Sequence, residues 1–202
     1  MPDDTRELFA TMTERYRSGN LPWADELPPP EIVALCEALP PGRALDLGCG
    51  LARSCIYLAQ RGWHCDGVDF VPQAIEQAKE RVIAAGAADR VTLHVGSVLA
   101  LDHLETPFDL AIDVGCLHAQ PKEAIPVYVA QLRRLLRPGG TFVLFAHLRG
   151  EADANEQRWT TLRTLEDGFD DGFHLERIVR GTTTMSDATW ASVWMWFQRV
   201  AA

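Results

Sequence analysis

Two glycines and two carboxylates carry the chemistry most directly readable in this chain. Asp46-Leu47-Gly48-Cys49-Gly50 closes one apolar run, and Gly67-Val68-Asp69 closes another, with Asp69 nineteen residues beyond Gly50. Glycine lets a backbone turn sharply at a strand end and approach a ligand more closely than any Cβ permits. A carboxylate at the tip of the next strand, beside that turn, accepts hydrogen bonds from both hydroxyls of a ribose. The pair describes a crevice for an adenosine-type ligand. Nicotinamide dinucleotides require G-x-G-x-x-G/A, whose third small residue lets helix and strand close around the pyrophosphate. Gly48 and Gly50 fill the first two positions, but the third falls on Arg53, whose long charged side chain argues against a pyrophosphate.

The loop resembles the D/E-x-G-x-G-x-G turn of the class I, Rossmann-like S-adenosylmethionine-dependent methyltransferases. Asp46, Gly48 and Gly50 match it, and Ala52 replaces the last glycine. Phe108-Asp109-Leu110-Ala111-Ile112-Asp113 resembles the family's fourth strand, and Leu135-Leu136-Arg137-Pro138-Gly139-Gly140 with Thr141-Phe142-Val143-Leu144 its helix, turn and fifth strand. The match is strong over residues 43–147 and looser elsewhere. The resemblance implies S-adenosylmethionine as cofactor, with Trp23, Asp46, Gly48, Cys49, Gly50, Asp69, Phe70, Ser97, Val98 and Asp113 around it. Asp69 is assigned to the ribose, and Asp46 to the loop or to the methionine amino group through water. One departure stands out: where the family usually has Gly-Asp after its third strand, this chain has Gly96-Ser97-Val98, so that serine and main-chain groups would bracket the adenine.

Methyl transfer from an activated sulfonium is an in-line displacement, in which alignment and exclusion of water do most of the work. A base is needed only for an acceptor protonated at neutral pH. His118 and His147 are the candidate catalytic residues, as bases or acceptor-orienting groups; the competing reading is that a loop histidine only satisfies backbone groups. Asp113-Val114-Gly115-Cys116-Leu117-His118 lacks the Asn/Asp-Pro-Pro-Tyr/Phe motif of enzymes acting on nucleobase or glutamine amines. No later Asp-Asn pairs with a strand-end Asp as in metal-dependent catechol enzymes, so no metal is expected. The Asp-x-Gly-Cys-x-His segment, with Pro22-Trp23, resembles the thiopurine and tellurite-resistance branch. That branch implies a small-molecule acceptor: a thiol, a chalcogen anion or an aromatic hydroxyl. A non-catalytic binder of S-adenosylmethionine or S-adenosylhomocysteine is the alternative. An NAD(P)-dependent oxidoreductase is disfavoured by Arg53 and by the lack of a Tyr-x-x-x-Lys relay.

The elements that must hold these groups follow from periodicity and punctuation. Helices are predicted over residues 5–18, after Pro28-Pro29-Pro30 with Ile32, Leu35 and Leu39 on one side, and from the glycine loop to about residue 60. A strand over 63–68 leads to a helix with Pro72 in its first turn, Ile75, Ala78 and Val82 as its stripe, and Gly86 as its stop. Residues 91–95 alternate as a third strand. A helix over 155–165 and strands over 173–180 and 189–200 complete the order. The resemblance makes the last of these the antiparallel seventh strand. Near-continuous apolar strands alternating with helices indicate an α/β fold, a doubly wound, mostly parallel sheet with helices on both faces. Tyr16 and Trp23 either line the pocket or anchor the N-terminal helix, and Trp190, Trp194, Trp196 and Phe197 read as strand core in preference to a substrate platform. Residues 149–172, with Trp159, are a candidate lid over the acceptor.

At 202 residues and 47% hydrophobic, the chain can bury a core as one domain, read as an N-terminal cap (1–40), a cofactor-binding core (41–148) and a lid with the last two strands (149–202). Five cysteines form no C-x-x-C pair, so neither a zinc site nor a disulfide framework is indicated. A net charge of −9 and no Lys/Arg run disfavour nucleic acid. With no long apolar run and an acidic start, the expected location is cytoplasmic, with no membrane partner.

Overall fold

The computed structural model describes residues 3–105, 107–149, 160–185 and 188–201. Seven strands form one sheet in the order β3-β2-β1-β4-β5-β7-β6, parallel except where β7 runs antiparallel to both β5 and β6. This is the mostly parallel, seven-stranded arrangement expected. Contacts divide the chain into two compact units, Met1–Ala100 and Leu101–Ala202.

In the first unit α1 (Asp3–Ser18) and α2 (Pro30–Ala38) precede β1 (Arg43–Leu47), α3 (Arg53–Ala59), β2 (His64–Asp69), α4 (Pro72–Ala84) and β3 (Val91–Val95). Strand β2 is displaced by one residue from the expected 63–68. Trp63 is buried just before it, and Asp69 becomes its last residue. In α4, Pro72 starts the helix, where its missing N–H costs nothing, and Ala74, Ile75, Ala78 and Val82 face inward. The helix ends in a Schellman motif, with Gly86 at φ +65° and its N–H on the Ile83 carbonyl, and the Ala87 N–H on that of Val82.

The second unit contains β4 (Phe108–Val114), two 3₁₀ turns (Leu117–Ala119 and Lys122–Ala124), α5 (Ile125–Leu135), β5 (Leu136–Leu148), α6 (Leu162–Phe169), β6 (Phe173–Met185) and β7 (Ala188–Arg199). The Pro138-Gly139-Gly140 turn survives inside β5 as a register shift, Phe108 pairing with Leu136 and Leu110 with Thr141. A Cβ on Gly140 would lie 2.9 Å from the Arg137 carbonyl oxygen, so the turn excludes a side chain there. Phe142, Phe169 and Phe197 stack with centroids 4.7–5.9 Å apart, and Phe173 meets Phe169 edge-on. That aromatic core fixes α6 on the sheet, and the Thr161 hydroxyl caps the helix by accepting from the Thr164 N–H. Helix α6 starts well after the predicted 155; residues 155–159, and 150–159 of the predicted lid including Trp159, lie outside the described residues. Strand β6 extends five residues past its predicted end, because its pairing with β7 continues to Met185 opposite Ala188.

Candidate functional site

The glycine turn is built by β1 and β2 together. Asp46 pairs with Gly67 and Leu47 with Val68, and the N–H groups of Gly48 and Cys49 both donate to the Val68 carbonyl as the chain leaves the sheet. Gly48 and Gly50 take positive φ, as does Ala52 at φ 60°, the one non-glycine residue in that region among the described residues. Ala52 occupies the third glycine position of the family pattern and adopts the backbone that glycine would.

Asp69 closes the turn. Its Oδ2 accepts from the Gly50 N–H at 3.1 Å and its Oδ1 from the Val71 N–H at 2.9 Å. Burial pushes its carboxyl upward, and those two amides oppose the shift. An ionised carboxylate offers about four acceptor sites, so two remain for hydroxyl donors. A ribose therefore fits this group. Asp46 is buried and receives the Cys55 thiol at 3.4 Å, consistent with support of the loop. Three buried thiols lie beneath the turn. A Cβ on Gly67 would meet the Sγ atoms of Cys49 and Cys55 at 3.0 Å, and Cys55 hydrogen-bonds Cys65. The Cys65 interaction and burial push the Cys55 thiol well up, burial does the same for Cys49, and burial raises Cys65.

The N-terminal segment sits on the same turn. Tyr16 packs with Val71 and Ala74, joined by Trp23, Phe70 and Leu51, and Tyr16 and Trp23 meet edge-on at 6.4 Å. A Cβ on Gly50 would lie 2.9 Å from the Tyr16 hydroxyl. Arg53, the residue that breaks the dinucleotide pattern, donates to Asp25 at 3.2 Å and to the Leu27 carbonyl at 3.3 Å. Sequence reasoning treated Arg53 only as an obstacle; here it anchors residues 25–27. Of the candidate adenine residues, Ser97 is exposed with its hydroxyl accepting from the Leu99 N–H, and Val98 is buried.

In the second unit the Asp113-to-His118 segment is a hydrogen-bonded device. Asp113, fully buried at the end of β4, accepts from the N–H groups of Cys116 and Leu117 and from the Tyr128 hydroxyl, at 2.7 to 3.0 Å. Burial raises its pKa to about 6 against those donors. Gly115, at φ +94°, admits the His118 ring, whose Cε1 would lie 3.3 Å from a Cβ there. His118 Nδ1 accepts the backbone N–H of His147 at 3.1 Å. Strand β4 ends opposite Phe145, so the imidazole serves the His147 N–H where the parallel ladder has run out. With Nδ1 accepting, the neutral ring carries its proton on Nε2. Burial, reinforced by His147, lowers the His118 pKa to about 3, and burial also lowers that of His147.

The two imidazole rings meet edge-on at 4.9 Å, and His147 also touches Phe145 (5.2 Å) and Trp190 (5.9 Å). The structure thus joins His118, His147 and Asp113 into one cluster. It adds Tyr128, Gly115 and Trp190, which the sequence reading did not assign to a site. Tyr128 lies fifteen positions beyond Asp113 with no motif linking the two. Trp190 reaches His147 only through the β5–β7 register, which no short motif encodes.

These features define a doubly wound α/β protein with a glycine turn on its first two strands closed by a buried carboxylate. Residues 44–140 match the sequence model of a methyltransferase domain. The matched segment is just under half of the chain, and it and the fold around it resemble the class I, Rossmann-like, S-adenosylmethionine-dependent methyltransferases. The chain is 30% identical over 109 residues to norajmaline N-methyltransferase of Rauvolfia serpentina, covering 53% of this chain and 36% of that protein. It is 33% identical over 124 residues to the 2-heptyl-1-hydroxyquinolin-4(1H)-one methyltransferase of Mycobacteroides abscessus, covering 61% and 54%. The chain thus spans from about a third to about half the length of these relatives. The crystal structure of Burkholderia thailandensis 1,6-didemethyltoxoflavin-N1-methyltransferase, with 1,6-didemethyltoxoflavin and S-adenosylhomocysteine bound, superposes with a TM-score of 0.76. It is 25% identical, with 96% of this chain and 88% of that one covered. No helix among the described residues is long and apolar enough to cross a membrane.

Proposed function

We propose that this protein is a cytoplasmic enzyme that transfers a methyl group from S-adenosylmethionine to a small molecule, the acceptor atom being a thiol, chalcogen anion or aromatic hydroxyl. The observation that carries the cofactor assignment is Asp69. It is a buried strand-end carboxylate with one amide on each oxygen and capacity for the two ribose hydroxyls. Norajmaline, a hydroxyquinolinone and didemethyltoxoflavin, for which the relatives are named, support a small acceptor. When bound, the cofactor supplies an activated methyl carbon. A lone pair of the acceptor forms the new bond, the sulfur–methyl bond breaks, and its electron pair stays on sulfur.

The chain's own residues do the rest. Gly48, Cys49 and Gly50 shape the cradle, and Trp23 and Phe70, packed with Tyr16, wall it. Val98 and Ser97 are assigned to the adenine edge. Asp113 holds the loop that carries His118. His118, held neutral with Nδ1 committed to the His147 N–H, is a positioning residue. A pKa far below the working pH makes it a poor base. His147 is assigned the acceptor's proton.

Calorimetric titration with S-adenosylmethionine, S-adenosylhomocysteine, NAD(H) and NADP(H), on wild type and Asp69→Ala, tests the reading. Binding of the sulfur nucleosides alone, lost in the variant, is expected. Binding of the dinucleotides instead would overturn it. Binding without turnover across thiols, phenols and chalcogen anions would favour a non-catalytic binder.

A further inference from the structure

Strands β5, β7 and β6 present one face that the methyl-transfer assignment has used only at His147. Directly opposed residues in a sheet share a face, and side chains alternate along each strand. Phe145 stands opposite Trp194 and His147 opposite Ser192. On the far side of β7, Val179 stands opposite Trp194, Gly181 opposite Ser192 and Thr183 opposite Trp190. Three rows result. The outer ones are bulky, Phe145-Trp194-Val179 and Trp190-Thr183. The middle row, His147-Ser192-Gly181, is small except for its imidazole. A Cβ on Gly181 would have nothing nearer than the Ser192 hydroxyl at 3.8 Å, so that row has room. Trp190 and Trp194 are four residues apart, about 13 Å along a strand at roughly 3.3 Å per residue, with the small row between them.

The tryptophans of β7 are not equivalent. Trp194 is buried against Phe145 at 5.0 Å, and Trp196 lies between Trp194 and the Arg177 guanidinium, 4.6 Å over its ring. Trp194 is spent on the fold, and the partly buried Trp196 is covered by that guanidinium. Trp190 is only partly buried and meets the His147 ring at 5.9 Å with the planes 66° apart. It is the tryptophan on this face that touches the assigned proton acceptor while keeping surface exposed; Phe145, the other partly buried ring against His147 at 5.2 Å, is packed on Trp194.

We propose that Trp190 is a specificity-determining residue, the wall on which a planar aromatic acceptor rests while its thiol or hydroxyl meets His147. This rests on the methyl-transfer reading and narrows its acceptor class to aromatic rings, excluding aliphatic thiols of the same size. Ring-on-ring packing is worth about 0.5–1.5 kcal/mol beyond area burial. At 1.4 kcal/mol per tenfold, the preference it confers is roughly two- to tenfold.

The experiment compares thiophenol with cyclohexanethiol, near-equal in size and alike in reacting group, by titration into protein saturated with S-adenosylhomocysteine. Wild type is expected to bind thiophenol several-fold more tightly. Trp190→Leu, which keeps apolar bulk without a π face, is expected to bring the ratio to about one, and Trp190→Phe to retain most of it. Affinity for S-adenosylhomocysteine stays unchanged in all three. A ratio unchanged in Trp190→Leu, or a wild type that binds S-adenosylhomocysteine but prefers neither thiol, overturns the proposal. Failure of wild type to bind S-adenosylhomocysteine overturns the cofactor reading itself, before any thiol is added. Should Trp190→Leu not fold, Trp190→Phe against Trp190→His gives the same comparison, with the preference following the apolar ring.

Discussion

At Ala52 the chain keeps a left-handed backbone without glycine, and the consequences are measurable. Left-handed φ costs an L-residue about 1–2 kcal/mol, and a fully buried methyl group recovers part of it. Ala52→Gly is therefore expected to leave stability within about 1 kcal/mol of wild type, relief of strain offsetting the lost methyl and the freer unfolded chain. Ala52→Val adds β-branching where φ is 60° and volume where none is free, and is expected to cost about 2–4 kcal/mol. Urea midpoints of the three proteins decide it; equal midpoints for alanine and valine would show that the turn relaxes. Gly67 is constrained differently, by neighbours and not by φ. Its added Cβ would meet Leu93 Cδ2 at 2.9 Å and two sulfurs at 3.0 Å. Gly67→Ala should cost about 1–3 kcal/mol, and Cys55→Ala in the same protein should return part of that by withdrawing one sulfur. A double-mutant cycle with no coupling between the two sites would contradict the packing described.

Among the elements, the N-terminal helix and residues 19–29 depend on interactions the sequence did not disclose. The glycine turn, the ribose carboxylate and the strand-helix alternation were legible because each is written in contiguous residues with a backbone reason. The anchoring of the cap was not, because Arg53 reaches Asp25 and Leu27 across 28 and 26 positions. For the same reason Trp190 read as strand core. Alternation gives the two faces of β7 but not the neighbour its register supplies. The loop after β4 was legible as a motif, while its physics, an aspartate holding two amides and a tyrosine hydroxyl, depended on where Tyr128 lands. Arg53→Ala should release the cap locally. Faster amide hydrogen exchange is expected across residues 19–29, with β1, β2 and α4 unchanged and a global stability loss of about 1 kcal/mol or less, since Asp25 is mostly exposed. Uniform acceleration across the first unit would mean that Arg53 supports the core and not the cap.

At the scale of the whole molecule, acid response sums every group whose proton affinity changes on folding. His118 is held near 3 in the folded chain against an ordinary 6.5. The unfolded chain therefore takes up that proton first. The stability contributed by the neutral ring is fully present above pH 6.5 and is lost as pH falls toward 3. Asp113 acts in the opposite sense. Its folded value of about 6 lies above the ordinary 3.8, so its contribution is complete below 3.8 and is lost as pH rises through 6. Between pH 6 and 4 the two oppose each other, and removing one exposes the other. His118→Gln keeps an oxygen able to accept the His147 N–H but cannot be protonated. It is expected to be less stable than wild type at pH 7.5 through imperfect packing. The gap should then narrow on acidification, by up to about 1.4 kcal/mol per pH unit once below 6.5. Urea midpoints of both proteins at pH 7.5, 6.0 and 5.0 measure this. A gap independent of pH would mean that His118 gains its proton equally in folded and unfolded chains, and the neutral, hydrogen-bond-accepting imidazole assigned here would have to be given up.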